Sequence, residues 1–416
     1  MKPSRRDFLA GLAASGAFGF GMTPEQDDRL EQPNKSGIEH VVLVMMENRS
    51  FDHFLGWMRN ADGRQAGLTY QDSLGVPHST YPLAPDYQGC GHPDPDHSYT
   101  GGRVEYDNGR CDGWLRAGQN DVYSIGYYTQ SDLPFLGEAA PAWTTCSRYF
   151  AATMAETYPN RIYQHAAQTD RLTNTTTIST LPTIWDRLAA AGLSGRYYFS
   201  DVPILALWGT KYLSISRLLP QFLADCAAGT LPQVSFVDPR FLDESSGTSG
   251  DDHPHADIRN GEVFLNEIYE AVTASPNWES TVMIINYDEW GGFFEHVPPF
   301  SAPDNNPATA LRGFRVPCLL MSPFARRSHI ARTVFDHTSV LKLIEWRWGL
   351  APLTLRDAFA NNLVNALDLS SNNPAAPRFP VLPGVFGAPC PSAALAPVES
   401  EWSQLISVAR ANGWPV

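Results

Sequence analysis

The stretch His40 to Met58, HVVLVMMENRSFDHFLGWM, decides how this chain is read. Val41 to Met46 form an apolar run of strand length. Without polar alternation, such a run predicts a strand covered on both faces, as in a parallel sheet between helices. It ends abruptly in Glu47, Asn48, Arg49 and Ser50. Placing an acid, an amide and a guanidinium at the mouth of a buried strand is costly unless they bind something, because desolvated polar groups need partners. Asn48 or Ser50 could also cap a helix running toward Met58.

The same strand grammar recurs at RYYFS (196–200), QVSFVD (233–238), TVMIINY (281–287) and RVPCLLMS (315–322). Helical patterns lie between and after these runs, over Tyr158 to Gln168, Thr183 to Ala191, Ile258 to Ala274 and Thr338 to Trp348. This alternation predicts an α/β fold, a mostly parallel central sheet flanked by helices in a single large domain. That domain is expected to span residues 37–372, with a Pro/Ala-rich extension over 373–416 ending in a helix near Ser400 to Ala411. TVMIINY ends in Asp288-Glu289 as HVVLVMM ends in Glu47-Asn48. Ligand crevices of open α/β sheets lie at the carboxyl ends of strands, so if these two strands are neighbours the four side chains converge. Three carboxylates would repel one another without a cation, and an all-oxygen set suits Ca²⁺, Mg²⁺ or Mn²⁺ better than zinc.

In MAETYPNRIYQHAAQ (154–168), Pro159 suits a first helical turn. Thr157 then falls near an N-terminus, where backbone N–H groups favour an anion. A hydroxyl there is also an ordinary cap. Arg161, one turn on, could reach a phosphate, although an outward-facing arginine is the more ordinary expectation.

The formal net charge of −14 argues against nucleic acid as a partner and against tight binding to anionic membrane faces. A phosphate-bearing substrate would then need a local cation. Arg5-Arg6 before a short Gly/Ala-rich apolar stretch resembles a twin-arginine export signal over residues 1–22, which implies use of the twin-arginine machinery and a periplasmic or secreted location. The six cysteines contain no C-x-x-C pair. Cys318 within VPCLLM reads as a core thiol, and Cys90 and Cys111 bracket a polar loop that a disulfide could close.

Seven segments taken in order, ENRSFDHFLGWM, DPDHSY, ETYPNRIY, DDHPHADIRNGEVFLNEIY, YDEWGGFFEHVPP, GFRVPCLLMSP and FDHTSVLKLIEWRWGL, resemble the bacterial phosphoesterase family of phospholipases C and related acid phosphatases. The resemblance runs from about Ile38 to Leu355. It implies an alkaline-phosphatase-like fold with one divalent metal ion and a covalent phosphoryl-enzyme step. It implies Glu47, Asn48, Asp288 and Glu289 as metal ligands, and Thr157 as both nucleophile and ligand. His97 and His253 would bind a phosphoryl oxygen or protonate the leaving alkoxide, with His296, His53 and His337 also inside family motifs.

Two departures stand out: Ala155-Glu156-Thr157 where phospholipase members commonly carry Gly-Pro-Thr, and Trp290 after the acidic pair where a smaller or polar residue is expected. The chain also has only a short extension where larger phospholipases carry C-terminal β domains, which suggests weak, transient contact with lipid surfaces. The implied activity is hydrolysis of a phosphatidylcholine-type diester, with phosphate monoesters as the alternative and an inactive phosphate- or metal-binding protein a distant third. Trp114, Tyr123, Tyr127 and Tyr128 could wall a choline pocket or simply pack the core.

Overall fold

A computed structural model describes residues 32–381, 383–391 and 399–416. The export-signal reading of residues 1–22 lies outside the described residues. Eight strands form the central sheet: β1 (His40–Met46), β2 (Thr144–Cys146), β3 (Gly195–Phe199), β4 (Ser216–Leu218), β5 (Val234–Val237), β6 (Thr281–Tyr287), β7 (Cys318–Met321) and β8 (His329–Ala331). Their order across the sheet is β8-β2-β7-β6-β1-β5-β3-β4. β1 lies at the centre, parallel to β5 on one side and to β6 on the other. Every residue of β1 from Val41 to Met46 is buried, as its unbroken apolar run requires.

β7 runs antiparallel to both β6 and β2, so the RVPCLLMS strand departs from the parallel direction of the rest. Cys318 is fully buried within it.

The helices that matter for the site are α1 (Phe51–Leu55), α2 (Thr157–Ala166), α3 (Ile184–Ala190), α4 (Ile258–Thr273), α5 (His337–Trp348) and α6 (Glu399–Ala411). Ser50 caps α1, its Oγ accepting from His53 N at 3.2 Å. α2 starts at Thr157, with Glu156 extended at the cap position and Pro159 in the first turn, where no N–H is needed for the ladder. Asn160 steadies that start, accepting from Thr153 N and donating to Ala155 O. Among the described residues no helix is long and apolar enough to cross a membrane.

One expectation is corrected here. Cys90 is bonded to Cys390, 300 residues away, and Cys111 is a free buried thiol. Nearness along the chain suggested Cys111 as the partner, whereas the C-terminal extension packs back against Cys90. Of the two readings open for the aromatics, the packed core is the one observed: Trp114 packs on Phe314 and Tyr123 stacks on His92, both fully buried, as is Tyr128. Tyr127 is also buried, in the cluster that contains Trp114 and Trp290. Trp290 itself is buried, its indole N–H donating to Glu105 Oε2 at 2.7 Å.

Candidate active site

Parallel pairing puts Met46 beside Tyr287 at the ends of β1 and β6, so Glu47-Asn48 and Asp288-Glu289 leave the sheet side by side. Asp288 N donates to Met46 O at 3.0 Å, which holds the two exits together. Gly291, at φ +63°, lets the β6 exit loop pass this close, since a Cβ there would lie 2.0 Å from Asn48 O. Behind Asp288, His337 Nε2 faces its carbonyl oxygen at 2.7 Å.

Thr157 enters from the start of α2. Its hydroxyl donates to Glu47 Oε2 at 3.1 Å, and both residues are fully buried. Arg161 corrects the outward-facing expectation. It is 1% exposed and its guanidinium joins three strand-end acids: Glu47 Oε1 at 2.9 Å, Asp238 Oδ1 at 2.9 Å and Asp288 Oδ2 at 3.1 Å. Asp238, at the exit of β5, was the same strand-end signal and could have been read from QVSFVD.

Charge is not balanced by Arg161 alone. Burial pushes Asp288 up to about 7 against the pull of Arg161, and Glu289 up to about 8 against His97. Asp251, whose carbonyl accepts from Glu47 N, is also raised by burial and by the neighbouring Glu47.

These residues fit a divalent cation. The donors are all oxygen and fully buried, and neither side-chain atom of Asn48 nor Oε1 of Glu289 makes a well-formed hydrogen bond. Protein donors still hold part of the set: Glu289 N on Asp288 Oδ1 and Gly291 N on Glu289 Oε2. Two other trios, Asp94-His97-His253 and Asp52-Glu295-His296, bring their ligand atoms within 4.8 Å of one another.

His97 and His253 lie together, their rings 5.8 Å apart and edge on. Each directs Nδ1 at a backbone carbonyl, His97 to Pro95 O at 2.8 Å and His253 to Pro254 O at 2.5 Å, leaving Nε2 of each for other work. Burial opposes a proton on His97, yet Glu289, Asp94 and Glu156 hold it well above the ordinary range. Burial takes His253 down to about 4 despite Asp94. Asp94 is a participant the sequence reading passed over, although it stands within DPDHSY.

His296 belongs to different company. It pairs with Asp52, beside Glu295, and Arg315 neutralises those two acids. Among the described residues its hydrogen-bond and ion-pair partners are Asp52, Asp62 and Glu295, not Thr157. His53 is structural, facing Gly126 O at 2.8 Å and Arg49 Nη1 at 3.1 Å. Arg49 donates to Asp252 O and lies over the Phe293 ring.

The model of the phosphoesterase family matches residues 38–351. The chain belongs to the phosphoesterase family. This phosphoesterase is 30% identical to phospholipase C B of Mycobacterium tuberculosis, over 89% of its own length and 84% of that protein's. It is 29% identical to non-specific phospholipase C6 of Arabidopsis thaliana, over 78% of its own length and 71% of the relative's. Among solved structures, the lipoteichoic acid synthase LtaP of Listeria monocytogenes is similar at a TM-score of 0.46 and 8% identity, covering 83% of this chain and 80% of that one. The family membership rests on the sequence matches. It makes the protein a phosphoric ester hydrolase whose described residues include groups able to ligate a metal.

Proposed function

We propose that this phosphoesterase is a phospholipase C type enzyme that cleaves phosphatidylcholine-like diesters through a phosphothreonine at Thr157. The observation that carries this reading is the buried Thr157 hydroxyl at the start of α2, hydrogen-bonded to Glu47 amid acids that Arg161 does not neutralise. Glu47, Asn48, Asp288 and Glu289, with Thr157, would hold one divalent ion, Ca²⁺, Mg²⁺ or Mn²⁺ in preference to zinc on their oxygen chemistry. Such an ion supplies Lewis acidity and offsets the negative charge of the phosphoryl group.

Thr157 Oγ attacks phosphorus, forming the threonine O–P bond as the bond to the glycerol oxygen breaks, and its proton passes to Glu47 Oε2. His97, held cationic by the acids around it, donates a proton to the departing alkoxide. Water then attacks phosphorus, giving a proton to His97, while the threonine O–P bond breaks and Thr157 Oγ recovers its proton from Glu47 Oε2. His253, with Nδ1 committed to Pro254 O, keeps Nε2 as an acceptor for a substrate or water proton. The start of α2 adds backbone dipoles that favour the phosphoryl oxygens.

A diester suits this site better than a monoester, because it brings one negative charge instead of nearly two to an acid-rich site. Identity with the mycobacterial and plant phospholipases supports the same choice. The paired arginines near the N-terminus support export to the periplasm or beyond, where lipid is met transiently at a surface. The test is kcat/KM on a phosphocholine diester against an aryl phosphate, with and without added Ca²⁺, Mg²⁺ or Mn²⁺. Preference for the diester is expected. An aryl phosphate favoured more than about tenfold would make the enzyme a phosphatase.

A further inference from the structure

The C-terminal extension returns to the loops that carry Asp94, His97 and His253. Cys390 is bonded to Cys90, seven residues before His97. Its backbone N–H donates to Ser245 O at 2.9 Å, while Phe386 N donates to Asn260 Oδ1 and Gln88 Nε2 to Ala388 O. Beyond this strap, α6 seats Trp402 at 2% exposure, stacked on Phe241 at 4.6 Å and tilted against Tyr158, the neighbour of Thr157. The Trp402 indole N–H donates to Glu244 Oε1 at 2.8 Å. The other oxygen of Glu244 lies 3.5 Å from His253 Nδ1.

We propose that Trp402 is a positioning residue, which aims the Glu244 carboxylate at His253 and so keeps the His253 proton on Nδ1. Two acceptors, Pro254 O and Glu244 Oε2, face Nδ1, and Asp94 Oδ2 lies 3.9 Å from Nε2. An orienting acceptor of this kind selects the tautomer and ring angle of an active-site imidazole. The indole N–H, fixed by stacking, holds one carboxylate oxygen and leaves the second pointing at the ring. Without that N–H the carboxylate can rotate away, and a small misplacement near reacting atoms is costly. The inference rests on His253 belonging to the phosphoryl-transfer site.

Trp402→Phe keeps an aromatic ring against Phe241 while removing the N–H together with part of the indole bulk, so Glu244→Gln, which keeps the side-chain volume and removes the charge, is the cleaner probe. Full-length parent, both variants and the double variant are compared for kcat and KM on a phosphocholine diester from acid to alkaline pH. Histidine-selective ¹⁵N NMR follows the His253 ring independently of turnover. The groups facing that ring are Asp94, His97, Glu244 and Arg49. The expected result is a fall in kcat of about ten- to a hundredfold in each single variant, little change in KM, no further loss in the double variant, and a shifted His253 tautomer signal. Lower thermal stability with unchanged kcat, pH profile and NMR signal would overturn the proposal, as would additive losses. If Trp402→Phe does not fold, Glu244→Gln decides by the same measurements. Should the parent cleave no phosphate ester, the functional reading fails, and the NMR comparison still decides the coupling.

Discussion

Thr157 and Arg161, one turn apart on the same helix, grip the two oxygens of one carboxylate: Glu47 Oε2 accepts from the Thr157 hydroxyl at 3.1 Å, and Glu47 Oε1 pairs with Arg161 at 2.9 Å. The helix that presents Thr157 is thereby locked to the end of the central strand. Side chains four apart on a helix share a face, which is why one element can do both.

Thr157→Ala is expected to lower turnover by about three orders of magnitude or more while the fold survives, since the lost hydroxyl makes one hydrogen bond. Thr157→Ser should retain part of the activity. Rapid acid quench of the parent with a ³²P-labelled substrate should leave label on Thr157. Unlabelled protein during steady turnover, or an active alanine variant, excludes the covalent step.

Arg161→Met leaves Glu47, Asp238 and Asp288 without their shared cation. Removing one partner of a buried ion pair costs about 3 to 5 kcal/mol, so the urea midpoint should fall steeply. A divalent ion should recover part of that stability if it binds these acids, by mass action on the folded state. A variant as stable as the parent would mean that the guanidinium is dispensable.

Non-reduced digestion should join the peptides carrying Cys90 and Cys390. Cys111, Cys146, Cys226 and Cys318 should react with a thiol reagent only after denaturation, since all four are buried. Cys390→Ser should lower the unfolding midpoint, because the link constrains a very long segment of the unfolded chain. A Cys90–Cys111 peptide pair would reverse the assignment.

Burial, helped by Arg161, takes His165 down to about 3, and the Trp185 indole donates to its Nδ1 at 3.3 Å. The neutral ring is therefore what the fold accepts. In the unfolded chain the ring gains a proton near pH 6.5, so the unfolded state binds more protons as pH falls below that value. Stability contributed by neutral His165 is present above this range and lost progressively toward its folded value. Raised carboxylates such as Glu262, at about 8, act in the opposite sense, so the comparison must be between variants. His165→Phe should gain stability relative to the parent as pH is lowered from 7 to 4.5, read as the difference in thermal midpoint. A pH-independent difference would show that the ring takes up its proton equally in the folded and unfolded chain.

The central strand, its neighbour β6 and the acids at their ends were legible in the sequence because they depend on local pattern. Unbroken apolar runs mark buried parallel strands, and polar residues clustered just beyond them mark a crevice. The start of α2 was legible for a similar reason: Pro159 limits where a helix can begin. Tertiary structure alone decided where Arg161 points, since a helix pattern does not say which strand-end acids will stand opposite it. It also decided that Cys90 meets Cys390 and not Cys111, a contact across 300 residues set by where the extension returns. Likewise Trp114, Tyr123 and Tyr128 are core residues because Phe314, His92 and Tyr87 arrive from elsewhere to cover them. Trp402 reaches Glu244 for the same physical reason: each of these contacts joins residues far apart along the chain, and only the packed fold brings them within hydrogen-bonding or van der Waals distance.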